Sequence, residues 1–128
     1  DRSKIKSLGF VRDEVTLQIA YHGADLLLHT APIDNLPNTV AESMSCGTPI
    51  LAFDTGGLTE MVKPGKSGWL VKEIDATSII AELDSVLNSK DYKNLRESTK
   101  ESAHNLFNSK KIACKYMDHF QATLAKSV

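Results

Sequence analysis

Cysteine is scarce in this 128-residue chain, with Cys46 and Cys114 the only two. Two thiols build neither a disulfide framework nor a metal cluster, and a reducing cytoplasm is the default expectation. An excess of charge is also missing. Fifteen Lys and Arg face 16 Asp and Glu, a net of -1. That balance removes the electrostatic case for nucleic acid or for an anionic membrane as partner. No apolar run approaches the roughly 18–20 residues of a membrane span. No signal peptide, internal repeat or low-complexity tract is visible. His22, His29, His104 and His119 are scattered, without metal-ligand spacing and without a Ser-His-Asp order. Each is read as structural or solvated. Gly65-Lys66-Ser67 imitates the end of a phosphate-binding P-loop. That motif needs glycine at position 60, where Glu60 stands. The stretch is read instead as a hairpin-like connector.

What is present is an ordinary globular composition, 41% hydrophobic and 24% charged, in a chain long enough for one domain with a proper core. The patterning predicts an α/β fold: a small, mainly parallel, Rossmann-like sheet flanked by helices. Residues 1–74 form its strand and helix core and 75–128 its C-terminal helices. Ile5–Phe10 reads as a short first strand. Asp13 is an N-cap for a helix running to about His22. Leu26–His29 is a buried-strand pattern, and Pro32 with Asp34-Asn35 breaks it into a loop. A helix over Leu36–Cys46 follows, with Pro37 in its first turn, Val40, Ala41 and Met44 inward, and Gly47 as terminator. Pro49–Phe53 is a second buried strand, Asp54–Gly57 the loop at its carboxyl end, and Trp69–Val71 the last strand. Beyond Asp75, read as an N-cap, Ile79, Ile80, Leu83, Val86 and Leu87 form one helical stripe. A second helix through Tyr92, Leu95, Thr99, Ala103 and Leu106 is more polar and expected to be more exposed. A third puts Ile112, Ala113, Tyr116, Met117, Phe120 and Leu124 on one face.

The chemistry concentrates between Leu26 and Glu60. In open α/β sheets, ligands bind outside the carboxyl ends of the strands. A helix starting there offers free N–H groups and a positive dipole end to an anion, most often phosphate. The amides of Leu36, Asn38 and Thr39 are the donors in question, unless they are merely solvated. From Leu36 to Glu42 the helix rises roughly 9 Å at about 1.5 Å per residue, so Asp34 and Glu42 flank the phosphate position. Two acceptor-only carboxylates on either side of a diphosphate suit hydroxyls, one set on a sugar and one on a ribose. The alternatives are a solvated helix charge for Glu42 and a turn residue for Asp34. Gly56 and Gly57 permit close backbone approach of a ligand, or are simply a flexible turn.

The ordered string Asp34-Asn35-Leu36-Pro37-Asn38, Glu42, Cys46-Gly47-Thr48-Pro49, Gly56-Gly57 and Glu60 resembles the retaining GT-B glycosyltransferases of family four. Their pattern is two acids separated by seven residues, as Asp34 and Glu42 are, here with Asp in place of the usual first Glu. Gly65–Val71 and Tyr21-x-x-Ala24-Asp25 are similar to further family segments. The resemblance implies a partial C-terminal domain that binds a nucleotide-diphosphate sugar. Asp34 and Glu42 would be catalytic, and Val11, Asn35, Leu36, Pro37, Asn38, Thr39, Glu42, Gly56 and Gly57 would contact the donor. Val11 would meet the nucleotide base; its alternative is a strand-end core residue. The resemblance also implies no metal and no cofactor. It covers nearly all of this chain but under half of a typical member. Two earlier strands of that domain are absent, as is an N-terminal domain that receives a carbohydrate or lipid-linked acceptor. The expected location is cytoplasmic, or peripheral at the inner membrane. The absent strands would lie between Ile5–Phe10 and the Leu26–His29 strand, so self-association, strand swapping or reordering of the first strand is expected. Two other classes stay open: a non-catalytic nucleotide- or sugar-binding module, and a small phospho-acceptor signalling domain suggested by length alone.

Overall fold

The computed structural model describes residues 4–125. Three parallel strands, β1 (Leu27–His29), β2 (Ile50–Phe53) and β3 (Gly68–Val71), lie in the order β1-β2-β3. Leu27 registers with Ile50, and Ile50 with Gly68. Parallel neighbours require crossovers. α2 (Asn38–Ser45) supplies the first and the single-turn α3 (Leu58–Met61) the second. The fold is therefore the α/β, Rossmann-like architecture that the patterning predicts.

β2 is buried on both faces, as a central strand covered on each side must be. Its side chains alternate. Ile50 and Ala52 join Val40, Met44, Leu58, Met61, Val62 and Ala103 in one cluster. Leu51 and Phe53 join Val71 and Ile79 in the other. The first cluster lies under α2, α3 and α5 (Arg96–Phe107); the second lies under α4 (Ala76–Ser89).

The helix ends follow their residues. Asp13 caps α1 (Glu14–Gly23), its Oδ1 accepting from the Thr16 N–H at 2.7 Å. Asp75 caps α4 through the Ser78 N–H at 2.9 Å. Hydrogen bonds to these exposed carboxylates hold both below the ordinary aspartate value. α2 closes on Gly47, at φ +77, with the Gly47 N–H donating to Met44 O and the Thr48 N–H to Ser43 O. That pair of bonds is a Schellman closure, which favours glycine at the left-handed position.

Four expectations change. Ile5–Phe10 is not a strand. It runs as exposed chain, with Ile5 76%, Leu8 69% and Phe10 87% accessible. A lone extended segment has no ladder to complete, and none of the three strands pairs with it. The helix after the first strand begins at Asn38, not Leu36. Pro37 is its N-cap, extended at ψ 123, and Leu36 lies outside it. The 64–68 connector is not a hairpin, because β2 and β3 run parallel. It is a closed turn in which Ser67 N–H donates to Lys63 O and Lys63 N–H to Ser67 Oγ. Finally, α5 is less exposed than its polarity suggests. Thr99, Ser102 and Ala103 are buried, and Arg96 at its start donates to the carbonyls of Ala24 and His22, tying down the end of α1.

Of the α4 stripe, Ile79 and Val86 are buried and Leu83 packs beside them, while Ile80 and Leu87 stay exposed. The apolar face of α6 (Ser109–Ala125) is exposed throughout. No helix among the described residues is long and apolar enough to cross a membrane.

Candidate functional site

The carboxyl ends of β1 and β2 bring two loops together, and the second supports the first. The Gly57 N–H donates to the Asp34 carbonyl oxygen at 3.0 Å. A Cβ on Gly56 would stand 2.2 Å from Asp34 O, and one on Gly57 would stand 1.5 Å from Asn35 O. The Asp34-Asn35 backbone therefore approaches this glycine pair closely. The glycines fix the position of the acidic loop.

Asp34 is half-buried, and its Oδ2 lies 3.5 Å from His29 Nε2 at the end of β1. Four residues on from Asp34, α2 opens. No side chain caps it. The N–H groups of Val40 and Ala41 both donate to Pro37 O, at 3.1 and 3.2 Å. Among the described residues nothing accepts from the N–H groups of Asn38 and Thr39. Both residues are exposed. This is an open helix start with unused donors, beside an acidic residue whose main chain is held by Gly57. Leu36, outside the helix and exposed, is not a helix-start donor; Pro37, which is buried, has no N–H to give.

Glu42 follows Asn38 by four residues, one turn on and on the same exposed face. Glu42 is open to solvent and needs no partner to be tolerated there. It nevertheless has one: the Tyr21 hydroxyl donates to Glu42 Oε2 at 3.2 Å. The two residues line a groove of about 600 Å³ with Leu17, Gln18, Ala41, Cys46 and Lys100. Asp34 does not line it. A larger groove of about 740 Å³ continues past Lys100 along α5, lined by Glu97, Glu101 and His104. Val11 is partly buried in the N-terminal segment, and no bond joins it to the loops at the strand ends. Cys46 is buried at the end of α2, and burial pushes its thiol up, away from the reactive thiolate. No group of three or more potential metal ligands occurs among the described residues.

Tyr21 and His29 are the site residues that sequence reasoning missed. Tyr21 gave some signal, standing four residues before Asp25 in the recognised segment. His29 gave none, because its partner is defined only by the loop's return.

Tyr21 carries a measurable consequence. Desolvation first, and its bond to the Glu42 carboxylate second, push its hydroxyl up to about 12. A raised folded value means the neutral phenol is favoured by folding. The contribution is complete below the ordinary tyrosine value, roughly 10, and is lost as pH rises through about 12. Denaturant midpoints of wild type and Tyr21→Phe are expected to converge over that interval. Tyrosinate absorbance should show one tyrosine titrating late, with an earlier midpoint in Glu42→Gln. A pH-independent difference between the two midpoints would refute the coupling.

The model of a family described as "Glycosyl transferases group 1" matches residues 2–106. Among curated relatives, N-acetyl-alpha-D-glucosaminyl L-malate synthase of Bacillus anthracis is 28% identical over 94 residues, 73% of this chain and 25% of that protein. D-inositol 3-phosphate glycosyltransferase of Mycobacterium marinum is 33% identical over 69 residues, 54% of this chain and 15% of that one. Among solved structures, sucrose-phosphate synthase from Thermosynechococcus elongatus superimposes with TM-score 0.82 at 25% identity, over 97% of this chain and 31% of its own. Anabaena HepE, solved in complex with UDP, does so with TM-score 0.79 at 21% identity, over 94% of this chain and 33% of its own. The chain thus spans a third or less of the length of each of these proteins.

Proposed function

The chain belongs to the group 1 glycosyl transferases, and from that premise we propose that it forms part of the donor site in the C-terminal domain of a retaining GT-B enzyme. The substrate is a nucleotide-diphosphate sugar. Its diphosphate rests at the start of α2 on the N–H groups of Asn38 and Thr39. Glu42, one turn along, accepts from the ribose hydroxyls. Asp34 accepts from hydroxyls of the sugar. Asn35, Leu36 and Pro37 shape the passage between the two acids. Gly56 and Gly57 act from behind, by holding the Asp34 loop, and Val11 meets the base.

The observation that carries this reading is the uncapped start of α2, with two unused amides and a carboxylate on either side along the chain. HepE, of like fold, has been solved with UDP and with UDP-glucose, which supports the same class of ligand here.

The chemistry follows from charge. As the glycosidic bond breaks, negative charge grows on the leaving diphosphate. Prearranged N–H donors and the positive end of a helix dipole favour that state over the ground state. Asp34 and Glu42 hold the donor in register for the transfer. The reaction needs no metal and no cofactor beyond the donor itself. A carbohydrate or lipid-linked hydroxyl acceptor comes from an N-terminal domain of a full-length, cytoplasmic enzyme, and the chain by itself is catalytically silent.

Calorimetric titration of the full-length protein with UDP-, GDP- and ADP-sugars tests the reading. One nucleotide sugar should bind with micromolar to millimolar affinity, the ordinary substrate range, and NMR of the product should show the anomeric configuration retained. Binding without transfer to any acceptor would leave only a nucleotide-sugar module. Binding of none would overturn the proposal.

A further inference from the structure

We infer that His29 is a positioning residue for Asp34, holding its carboxylate at the carboxyl edge of the sheet in the orientation that meets the donor sugar. The inference rests on the reading of Asp34 as the sugar contact.

Strand alternation places His29 on the same face as Leu27, which packs against the cluster under α2. The imidazole is mostly buried and faces, at Asp34, the loop that leads into that helix. Its Nε2 is closed off from solvent and has no hydrogen-bond partner among the described residues. Facing it is Asp34 Oδ2 at 3.5 Å, a separation at which the bond is approached but not made. A neutral imidazole chooses which nitrogen carries its proton. A bare Nε2 lone pair set against a carboxylate would repel it, so the stable arrangement has an Nε2–H directed at Asp34.

The rest of the loop makes this partner decisive. The Asp34 carbonyl oxygen is held by the Gly57 N–H at 3.0 Å, and the Gly56-Gly57 backbone leaves no room for the chain to move toward it. What stays free is rotation about the two side-chain torsions of Asp34. A buried N–H on one side selects among those rotamers. It closes the remaining gap without displacing the main chain, and it leaves the second carboxylate oxygen to a ligand. A charge-assisted bond of this kind is the strong, directional sort that orients a carboxylate.

The test separates orientation from mere packing. His29→Leu and His29→Gln are compared with wild type in the full-length protein. Each is titrated with the nucleotide sugar that wild type binds and with the corresponding nucleoside diphosphate, which lacks the sugar. Gln carries an N–H close to the Nε2 position; Leu fills the space without one. His29→Leu should weaken the nucleotide sugar about tenfold, the loss of one good hydrogen bond. The diphosphate should be unaffected, and His29→Gln should stay close to wild type for both. If His29→Leu does not fold, His29→Asn, whose amide falls short of the Nε2 position, takes its place with the same expectation. Equal weakening of both ligands, Gln as damaging as Leu, or no change in either variant would each overturn the inference. A wild type that binds neither ligand overturns the donor-site reading, and this inference with it.

Discussion

Glu42→Ala is expected to lower nucleotide-sugar affinity by between about tenfold and about 150-fold, because a hydrogen bond to a charged acceptor contributes roughly 1.5–3 kcal/mol. The stability of the protein should hardly change. Glu42 is exposed, in the interior of α2, where alanine is at least as good a helix former. Among the described residues the one bond of its side chain is with the Tyr21 hydroxyl, which water can replace at that exposed position. The loss should fall on the nucleoside diphosphate as well as on the nucleotide sugar, since the ribose is common to both. That pattern differs from the one expected at His29. Calorimetry with both ligands, together with thermal melting, measures all of it. Unchanged affinity would remove Glu42 from the site and leave the groove it shares with Tyr21 unexplained.

Gly57→Ala is expected to be the most damaging single methyl in the loop. The backbone there is helical, φ -75 and ψ -8, a conformation any residue adopts, so the effect is purely steric. The added Cβ would stand 1.5 Å from Asn35 O and 2.7 Å from Asn35 C, which are main-chain atoms and not the far end of a flexible side chain. Either the Asp34-Asn35 loop or the start of α3 must move, and the bond from the Gly57 N–H to Asp34 O breaks. We expect a loss of about 2–4 kcal/mol, within the range for overpacking with a broken bond, and a melting temperature lower by roughly 10 °C. Nucleotide-sugar binding should fall even where the variant is folded. Gly23→Ala is the control: nothing lies within 4 Å of its Cβ position, and its φ is not in the left-handed region. It should melt at or slightly above wild type. Equal melting of the two variants would show that the loops are not packed as described.

The two variants bracket what the site depends on. One removes a functional group and leaves the frame; the other keeps every functional group and displaces the frame. The glycine pair illustrates how a residue reading can be right about closeness and still miss a neighbour. Gly56 and Gly57 were legible as places where something comes close, because only the lack of a side chain allows it. That the Asp34 loop is such a neighbour required the two strand ends to be seen side by side.

Local rules settled much of this chain in advance. The caps Asp13 and Asp75, the Gly47 terminator, the apolar run of β2 and the inward Val40 and Met44 each depend on residues within a turn or two, and the order of residues alone determined them. The strand expected at Ile5–Phe10 is the contrast. Its residues suit a strand, yet a strand exists only through hydrogen bonds to a neighbour, and no rule internal to six residues supplies one. The same holds for the pairs that define the site. Tyr21 meets Glu42 across 21 positions, and Arg96 reaches His22 across 74. His29 faces Asp34 only because the loop turns back over the end of β1. Backbone conformation is set by near neighbours, while side-chain partnership between elements is set by packing. The sequence alone therefore carried the family resemblance and the candidate acids, and tertiary structure decided what holds each acid in place.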